Sequence, residues 1–394
     1  MLQVLAEELP NIQVCNFYIS WTGSLSCQKV RSEKSSCVIE FDNDSLATLS
    51  LPNGTYLVPC ELHYKQNGNM VAVRAQMDET ASLINSLGAD LLSDAGVLFT
   101  TEPLQNVMVG QNITAQCKEC HSQVYPNICF SRVLPLPSLD WDHSSEGWFC
   151  HLHGDDGKNL KPTSMIPGQD DCFYSELFFL LNDCYLEHMS VDCNVNNTIL
   201  CKACRNSLGE HLKPSLKLWT HNIEWIDSNG QIAYSKNVSD ILLRLFHNID
   251  KDNFGVNCRI ALKTQSPLMY LFLVTMNTNQ KLLLSHLDSN NGGDKTLTDV
   301  VNGEQNSNKR TKQDKNCDLK LRKVFAVKLL YQVKIGDDEE TGLWQDDVDV
   351  HILPCCKSFF ERVKSLLDMS STLLPSDVRT VNNMIVGYIL KDTI

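Results

Sequence analysis

Two short cysteine pairs, separated by 80 residues, are the feature that most constrains how this chain can fold. Each pair has two residues between its cysteines, in Cys117-Lys-Glu-Cys120 and in Cys201-Lys-Ala-Cys204. This spacing lets one turn present both sulfurs to the same side, and two such turns complete the tetrahedral thiolate set of structural zinc. The pattern therefore predicts one zinc ion per chain, held by Cys117, Cys120, Cys201 and Cys204.

Two other interpretations of the cysteine pairs remain open. The separation is longer than the roughly 15–20 residues usual in zinc ribbons, so one pair can be redox-active, or both can be unconnected structural pairs. A metal that closes a long loop nevertheless stabilises the fold, which favours zinc. Four thiolates leave no open coordination position, so the predicted zinc is structural rather than catalytic.

The composition of the chain restricts its class. With 394 residues, of which 43% are hydrophobic and 21% charged, the chain is globular and long enough for two or three domains. The 47 acidic and 34 basic residues give a net charge of −13, which argues against direct contact with nucleic acid. No apolar run reaches the length of a membrane span. Glu7 and Glu8 stand where a secretory signal has basic residues, and the odd number of cysteines, 17, fits free thiols, so we expect an intracellular protein.

Short apolar runs separated by turn signals predict a β-rich α+β fold in three consecutive parts. These are an N-terminal antiparallel β domain (1–107), a cysteine-rich, zinc-clipped middle module (108–215) and a C-terminal α+β domain (216–394). The polar stretch 289–318 is predicted to be a disordered insertion. The predicted strands are Ile12–Ile19, Cys37–Phe41, Leu46–Leu51, Tyr56–Leu62, Met70–Met77, Val324–Tyr331 and Met384–Leu390, and the predicted helices are Thr80–Leu92, Val238–Asn248 and Lys357–Leu367.

Four further cysteines are candidates for thiol chemistry. Cys150 stands beside two histidines, in Trp148-Phe-Cys-His-Leu-His153, and can be a nucleophile, a metal ligand or a buried cysteine with surface histidines. In an extended segment its side chain points away from both neighbouring histidines, so the sequence leaves these alternatives open. Two carboxylates precede Cys172 and raise its pKa. Cys355 and Cys356 precede the C-terminal helix, whose N-terminus favours a thiolate, although packing alone also explains these three cysteines.

Two other segments are candidates for recognition. The Val238–Asn248 helix carries an apolar stripe that either packs in the core or docks a partner; its residues are Ile241, Leu242, Leu245 and Phe246. The basic run Lys309-Arg-Thr-Lys312 is a candidate nuclear-import signal.

Several of these motifs occur in an order that is similar to that of a known family. Between the cysteine pairs the chain has Arg132-Val-Leu-Pro-Leu-Pro-Ser138, Trp148-Phe-Cys-His151 and Asp171-Cys-Phe173, and Leu208-Gly-Glu210 follows the second pair. The C-terminal part adds Val327-Lys-Leu-Leu-Tyr-Gln332, Leu343-Trp344, Asp349-Val-His351 and Leu374-Pro-Ser376. Together these motifs resemble the HECT-like ubiquitin-protein ligase family that binds ubiquitin-conjugating enzymes, the type D ubiquitin-protein ligases.

The resemblance implies an enzyme of the cytoplasm and nucleus. Such a ligase accepts ubiquitin from a ubiquitin-conjugating enzyme, through a thioester, and passes it to itself or to substrates such as cyclins, which promotes proteasomal degradation. It implies that the Val238–Asn248 helix docks the conjugating enzyme. If the transfer is covalent, Cys150 is the first thiol to test.

The same resemblance implies an alternative function in messenger-RNA 3′-end processing. In that alternative the protein is a non-catalytic inhibitor of the cleavage and polyadenylation endonuclease, and its 135–170 segment enters the endonuclease active site. The Cys150 sulfur would then bind the zinc of the partner, where a soft thiolate displaces the catalytic water.

Overall fold

The computed structural model of the chain describes residues 2–78, 104–136, 166–252, 257–265, 267–285 and 316–391. These residues form many strands and few helices, which confirms the predicted β-rich fold class. Within them, no helix is both long and apolar enough to cross a membrane. The predicted helix Thr80–Leu92, the basic run Lys309–Lys312, Cys150 and residues 289–315 of the predicted insertion lie outside the described residues.

The strands are numbered here in chain order. Those before residue 78 are β1 (Leu2–Leu9), β2 (Val14–Trp21), β3 (Cys27–Glu33), β4 (Ser36–Phe41), β5 (Leu46–Ser50), β6 (Cys60–Leu62), β7 (Tyr64–Asn67) and β8 (Met70–Gln76). The next are β9 (Ile113–Cys117), β10 (Gln123–Ile128), β11 (Arg132–Pro135), β12 (Asp171–Tyr174), β13 (Phe178–Asn182), β14 (Val191–Cys193), β15 (Thr198–Cys201), β16 (Ser207–Leu212), β17 (Ser215–Trp219), β18 (Ile223–Ile226) and β19 (Ile232–Tyr234). The last are β20 (Arg259–Gln265), β21 (Leu268–Ser285), β22 (Asn316–Ile335), β23 (Val350–Pro354), β24 (Thr380–Val381) and β25 (Met384–Lys391).

The described helices are few. They are α1 (Leu104–Met108), α2 (Val238–Asp252), α3 (Glu339–Asp346) and α4 (Lys357–Ser371), with short 3₁₀ turns at Pro10–Ile12 and Asp183–His188. The predicted helices Val238–Asn248 and Lys357–Leu367 are therefore confirmed, and each extends four residues further than predicted. Helix α3 begins at a capping box in which Asp338 and Thr341 exchange hydrogen bonds, so its start is fixed by local chemistry.

The chain forms two compact units. Unit 1 comprises Met1–Leu98, Phe272–Val333 and Val363–Ile394, and unit 2 comprises Phe99–Leu271 and Lys334–Arg362. This division differs from the three consecutive parts that the sequence predicts. The reason is strand pairing: β1 pairs with β21, and β5 pairs with β22, so late segments complete the N-terminal sheet. Residues 316–318, predicted as part of a disordered insertion, belong to β22, and the prediction is wrong for these three residues.

The sheet of unit 1 places the two long strands at its centre. The order of paired strands is β6-β3-β4-β5-β22-β21-β1-β2-β8-β7, and β25 pairs with β22 outside this path. The pairing of β5 with β22 is parallel, whereas β1 runs antiparallel to β2 and to β21. A core of alternating apolar residues lies against this sheet and includes Phe17, Ile19, Val30, Ile39, Leu49, Val71 and Leu283.

Unit 2 contains two sheets that share one core. The larger has the order β11-β12-β13-β17-β16-β15-β14, and the smaller has the order β10-β9-β18-β19. Strands β20 and β23 pair in parallel. The core between the sheets is aromatic: Phe130 and Phe179 each pack edge-on against Trp225 at ring distances of 5.8 and 5.5 Å. Cys117 and Cys201 are fully buried members of this core, so the two cysteine pairs connect strands of different sheets.

A glycine in β16 permits the close approach of β17. A Cβ atom on Gly209 would lie 2.1 Å from the carbonyl oxygen of Lys217, a backbone atom that cannot yield without moving the strand. We therefore expect Gly209→Ala to destabilise unit 2 by about 3 kcal/mol or more, measured as a lower midpoint of thermal unfolding. Gly342→Ala in α3 is the matched control, because nothing lies within 4 Å of its added Cβ. An equal effect of the two substitutions would contradict this account.

Candidate metal centre

The two cysteine pairs form turns with the same backbone geometry. In the first, the amide of His121 donates to the carbonyl of Cys117 at 2.8 Å, and the amide of Cys117 donates to the carbonyl of Ser122 at 2.9 Å. In the second, Arg205 donates to Cys201 at 2.9 Å, and Cys201 donates to Asn206 at 2.8 Å. Each turn closes the end of a strand, β9 or β15, and presents both of its sulfurs on one side.

Both turns place a non-glycine residue in the left-handed region. His121 has a φ of 54° and Arg205 a φ of 64°, a conformation that costs an ordinary L-residue roughly 1–2 kcal/mol. Each of these residues directly follows the second cysteine of its pair, where the turn reverses. The matching strain shows that the two turns are built alike, although their sequences share little beyond the cysteines and a lysine.

The four sulfurs converge on one point. The Sγ atoms of Cys117 and Cys204 are 3.7 Å apart, and those of Cys120 and Cys201 are also 3.7 Å apart. All four lie within 4.8 Å of one another. Zinc–sulfur bonds of about 2.3 Å in a tetrahedron give sulfur–sulfur distances of about 3.8 Å. The spacing therefore fits a single tetrahedral ion, and it is too long for disulfides, whose sulfurs are about 2.05 Å apart.

Hydrogen bonds from one serine supply partners for the sulfurs. The hydroxyl of Ser122 lies 3.0 Å from Cys120 Sγ and 3.3 Å from Cys201 Sγ. Hydrogen bonds from the side chain and the backbone of Ser122 lower the pKa of Cys120 to about 6, whereas burial raises the pKa of Cys117 to about 12. A bound cation would favour the thiolate form of every ligand, including the buried Cys117.

Side chains of the first turn connect it to other parts of unit 2. Lys118 donates to the carbonyl of Lys236 at 2.8 Å and to Asn237 Oδ1 at 2.9 Å, just before α2. Glu119 accepts a hydrogen bond from Arg362 at 2.9 Å. These contacts fix the position of the turn, so the sulfurs are held in place by more than their own strands.

The residue after the first cysteine pair reaches a buried carboxylate. His121 Nδ1 is 3.4 Å from Glu224, which also accepts hydrogen bonds from Gln116 at 3.1 Å and from Ser235 at 3.0 Å. The sequence reasoning did not identify Glu224 as part of the surroundings of this site. Its position in β18, paired with β9, is the only signal, and that pairing is invisible in the sequence.

In the described part of the chain, this is the one group of three or more His, Cys, Asp or Glu side chains placed to hold a metal ion. Four cysteines fill a tetrahedral coordination shell, so such an ion has no position left for a substrate or a water molecule. The geometry therefore describes a site that joins two sheets rather than a site of catalysis.

The apolar stripe of α2 is buried. Ile241, Leu242 and Leu245 are 0% exposed and Phe246 is 1% exposed. A partner cannot contact these side chains in the observed conformation, so the hypothesis that they dock a conjugating enzyme is not compatible with it. They form core because the stripe faces into unit 2.

The structure separates the other candidate thiols. Cys172 is fully buried in β12 and Cys355 is buried at the end of β23; burial raises the pKa of both. Cys356 is half-buried, and its sulfur lies near an imidazole, that of His221. No pattern near Trp219-Thr-His-Asn222 marked His221 in the sequence.

Comparison with known proteins identifies the class of this protein. A family model described as HECT-like ubiquitin-conjugating enzyme (E2)-binding matches residues 7–386, nearly the whole chain. The chain belongs to this family, as its motifs predict.

Relatives in the family are named as E3 ubiquitin-protein ligases of type D. The chain is 22% identical to the Mus musculus protein over 356 residues, which cover 88% of this chain and 86% of that protein. It is 24% identical to the Bos taurus protein over 303 residues, 70% of this chain and 72% of the relative. It is 23% identical to the Homo sapiens protein over 301 residues, with 70% and 72% covered. No solved structure matches the chain.

Proposed function

We propose that this protein is a ubiquitin-protein ligase that receives ubiquitin from a bound ubiquitin-conjugating enzyme and transfers it to substrate lysines, which promotes proteasomal degradation. The observation that carries the proposal is the match of an E2-binding family across residues 7–386. Relatives named as E3 ubiquitin-protein ligases, aligned over most of their length, support the transfer step. Cyclins are the substrates that the family resemblance implies.

We further propose that the metal of the four-cysteine site is zinc, one ion per chain, with a structural role. An all-thiolate tetrahedral set is typical of zinc, and the 3.7 Å sulfur distances suit its bond length. When bound, the ion would supply a cross-link between β9 and β15. Residues of unit 2 other than these ligands would then carry any chemistry.

We place the protein in the cytoplasm and nucleus. Every cysteine in the described part of the chain is a free thiol, which supports a reducing compartment. The ubiquitin-conjugating enzymes that the family binds are the partners such a location requires.

The ligase proposal is tested by reconstitution. The full chain is mixed with ubiquitin-activating enzyme, a panel of conjugating enzymes and ubiquitin, and the products are separated on gels with and without reductant. We expect ubiquitin–lysine conjugates that resist reductant and form only when the chain is present with at least one conjugating enzyme. No increase with any conjugating enzyme that is active with a reference ligase would overturn the proposal.

The same gels test the sequence-based thiol. Loss of a reducible ubiquitin adduct in Cys150→Ala, but not in Cys193→Ala, would assign transfer to Cys150; Cys193 is an exposed cysteine outside the metal site. Persistence of the adduct would direct attention to the thiols of the described residues.

A further inference from the structure

A thiol, an imidazole and a hydroxyl meet just before helix α4. Cys356 Sγ is 3.5 Å from His221 Nε2 and 3.2 Å from Ser358 Oγ. His221 Nε2 is also 3.3 Å from Ser358 Oγ, and Asn222 Nδ2 donates to this hydroxyl at 3.2 Å. His221 comes from the turn between β17 and β18, so unit 2 brings together residues that are 135 positions apart in the chain.

The imidazole is buried and neutral. His221 is 1% exposed, and burial lowers its pKa to about 3. Its Nε2 faces two possible donors, the thiol of Cys356 and the hydroxyl of Ser358, so Nε2 is the acceptor and Nδ1 carries the ring proton. Nδ1 has no hydrogen-bond partner among the described residues. A buried orphan of this kind needs an explanation beyond packing.

The helix start favours negative charge on the sulfur. The amides of Ser358 and Phe359 hydrogen-bond to Cys356, and these bonds oppose the effect of burial, which raises the pKa of the thiol. The resting sulfur is therefore a protonated thiol. Because the donors of a helix N-terminus are already in place, a charge that develops on the sulfur during attack is stabilised without reorganisation.

The sulfur borders a cavity. The cavity has a volume of about 540 Å³, within the range of pockets that hold a small molecule or a short peptide segment. Its lining combines polar, charged and aromatic side chains, and includes Asn196, Thr198, Glu210, Lys217, Trp219 and Cys356. Lys217 is only 3% exposed, so a charged group from deep in β17 contributes to the lining.

We infer that Cys356 is an acyl-acceptor thiol, with His221 as its base, and that the adjoining cavity holds the C-terminal peptide of ubiquitin. This inference rests on the proposed ligase function and assigns a thiol to it. It gives an active role to a cysteine that packing alone would explain from the sequence.

The proposed step is a thioester exchange. A bond forms between Cys356 Sγ and the carbonyl carbon of the ubiquitin C-terminus, and the bond from that carbon to the sulfur of the conjugating enzyme breaks. The Cys356 proton passes to His221 Nε2 and then to the departing thiolate. No oxidant or reductant takes part, and the products are a Cys356 thioester and the free thiol of the conjugating enzyme.

The first test maps the ubiquitin adduct on the full chain. We expect mass spectrometry to find it on Cys356, and Cys356→Ala to abolish it. Cys356→Ser should trap an ester that resists reductant but not alkali. His221→Gln should slow adduct formation on the order of 100-fold. Cys355→Ala, at the neighbouring buried cysteine, should have no effect. An adduct that persists in Cys356→Ala overturns the inference but leaves the ligase proposal standing.

A second test needs no ubiquitin. Iodoacetamide is added to the wild-type chain, and alkylation of each cysteine is followed by mass spectrometry. Cys356 should react at least tenfold faster than Cys355, and His221→Gln should remove that difference while the metal content and the thermal midpoint stay unchanged. Equal rates at the two cysteines in the wild-type chain would overturn the inference, even if a substitution at position 356 prevented folding.

Discussion

Replacing Cys117 or Cys204 by serine is expected to release the metal ion and to unfold most of unit 2. Their sulfurs are 3.7 Å apart, and Cys117 lies in the buried core between the two sheets. Structural zinc sites contribute roughly 10–16 kcal/mol of apparent binding free energy, whereas whole domains have net stabilities of about 5–15 kcal/mol. Losing one ligand therefore removes an interaction as large as the net stability itself. Native mass spectrometry should find one zinc ion in the wild-type chain and none in either variant.

The stability of the same variants gives a second readout. We expect the thermal midpoint of unit 2 to fall by at least about 10 °C. Cys193→Ser is the matched control, because Cys193 is exposed and lies outside the four-cysteine group. It should retain the ion and the wild-type midpoint. A Cys204→Ser protein that kept its ion and its midpoint would show that the four sulfurs do not hold a structural metal.

Replacing Glu7 by glutamine should destabilise unit 1 by about 3–5 kcal/mol. Glu7 is 2% exposed in β1, and its carboxylate lies 2.6 Å from Lys328 Nζ. Tyr388 donates a hydrogen bond to it at 2.6 Å and Tyr18 donates another at 3.4 Å. Glutamine keeps the shape of the side chain but leaves the ammonium of Lys328 largely buried without a counter-charge. The change is measured as a lower midpoint of urea unfolding.

Two controls separate charge from packing at this site. Asp377→Asn removes the more exposed ion pair with Lys65, and we expect a cost below about 1 kcal/mol. The double variant Glu7→Gln with Lys328→Met removes both charges, so it should recover much of the stability that the single variant loses. Equal effects of Glu7→Gln and Asp377→Asn would mean that the buried pair contributes no more than a surface pair.

The sequence predicted well where the signal was local. Strands β4 and β5 were expected within one residue of their observed ends, because each alternates apolar and polar residues between clear turns. The cysteine pairs were recognised by spacing alone, since each CxxC turn is encoded in four residues. The α2 stripe was also recognised, and its buried position agrees with the commoner role of such a stripe in core packing.

Strand β1 was missed for a physical reason. It lies between β2 and β21, so both of its faces are covered, and five consecutive residues from Val4 to Glu8 are buried. Such a strand does not alternate. Glu7 and Glu8 appeared to be exposed because charged residues are seldom buried without partners. Their lysine partners, Lys328 and Lys323, lie more than 300 residues away along the chain.

The surroundings of Cys356 were hidden by the same kind of distance. The helix N-terminus was visible in the sequence, but His221 is contributed by a turn between two strands of different sheets. A histidine in a turn carries no periodic signal. Only the fold shows that it faces the thiol.

The strand order of unit 1 has a consequence for how the protein is made. Strands β1 to β8 form two groups, β6-β3-β4-β5 and β7-β8-β2-β1, and in the sheet only β21 and β22 lie between them. At roughly 5–20 residues per second, a ribosome needs on the order of tens of seconds to proceed from residue 78 to residue 335. During that interval the edges of β1 and β5 have no neighbour, and unpaired strand edges promote aggregation. A nascent chain of this protein therefore depends on protection of these edges until its last third has been synthesised.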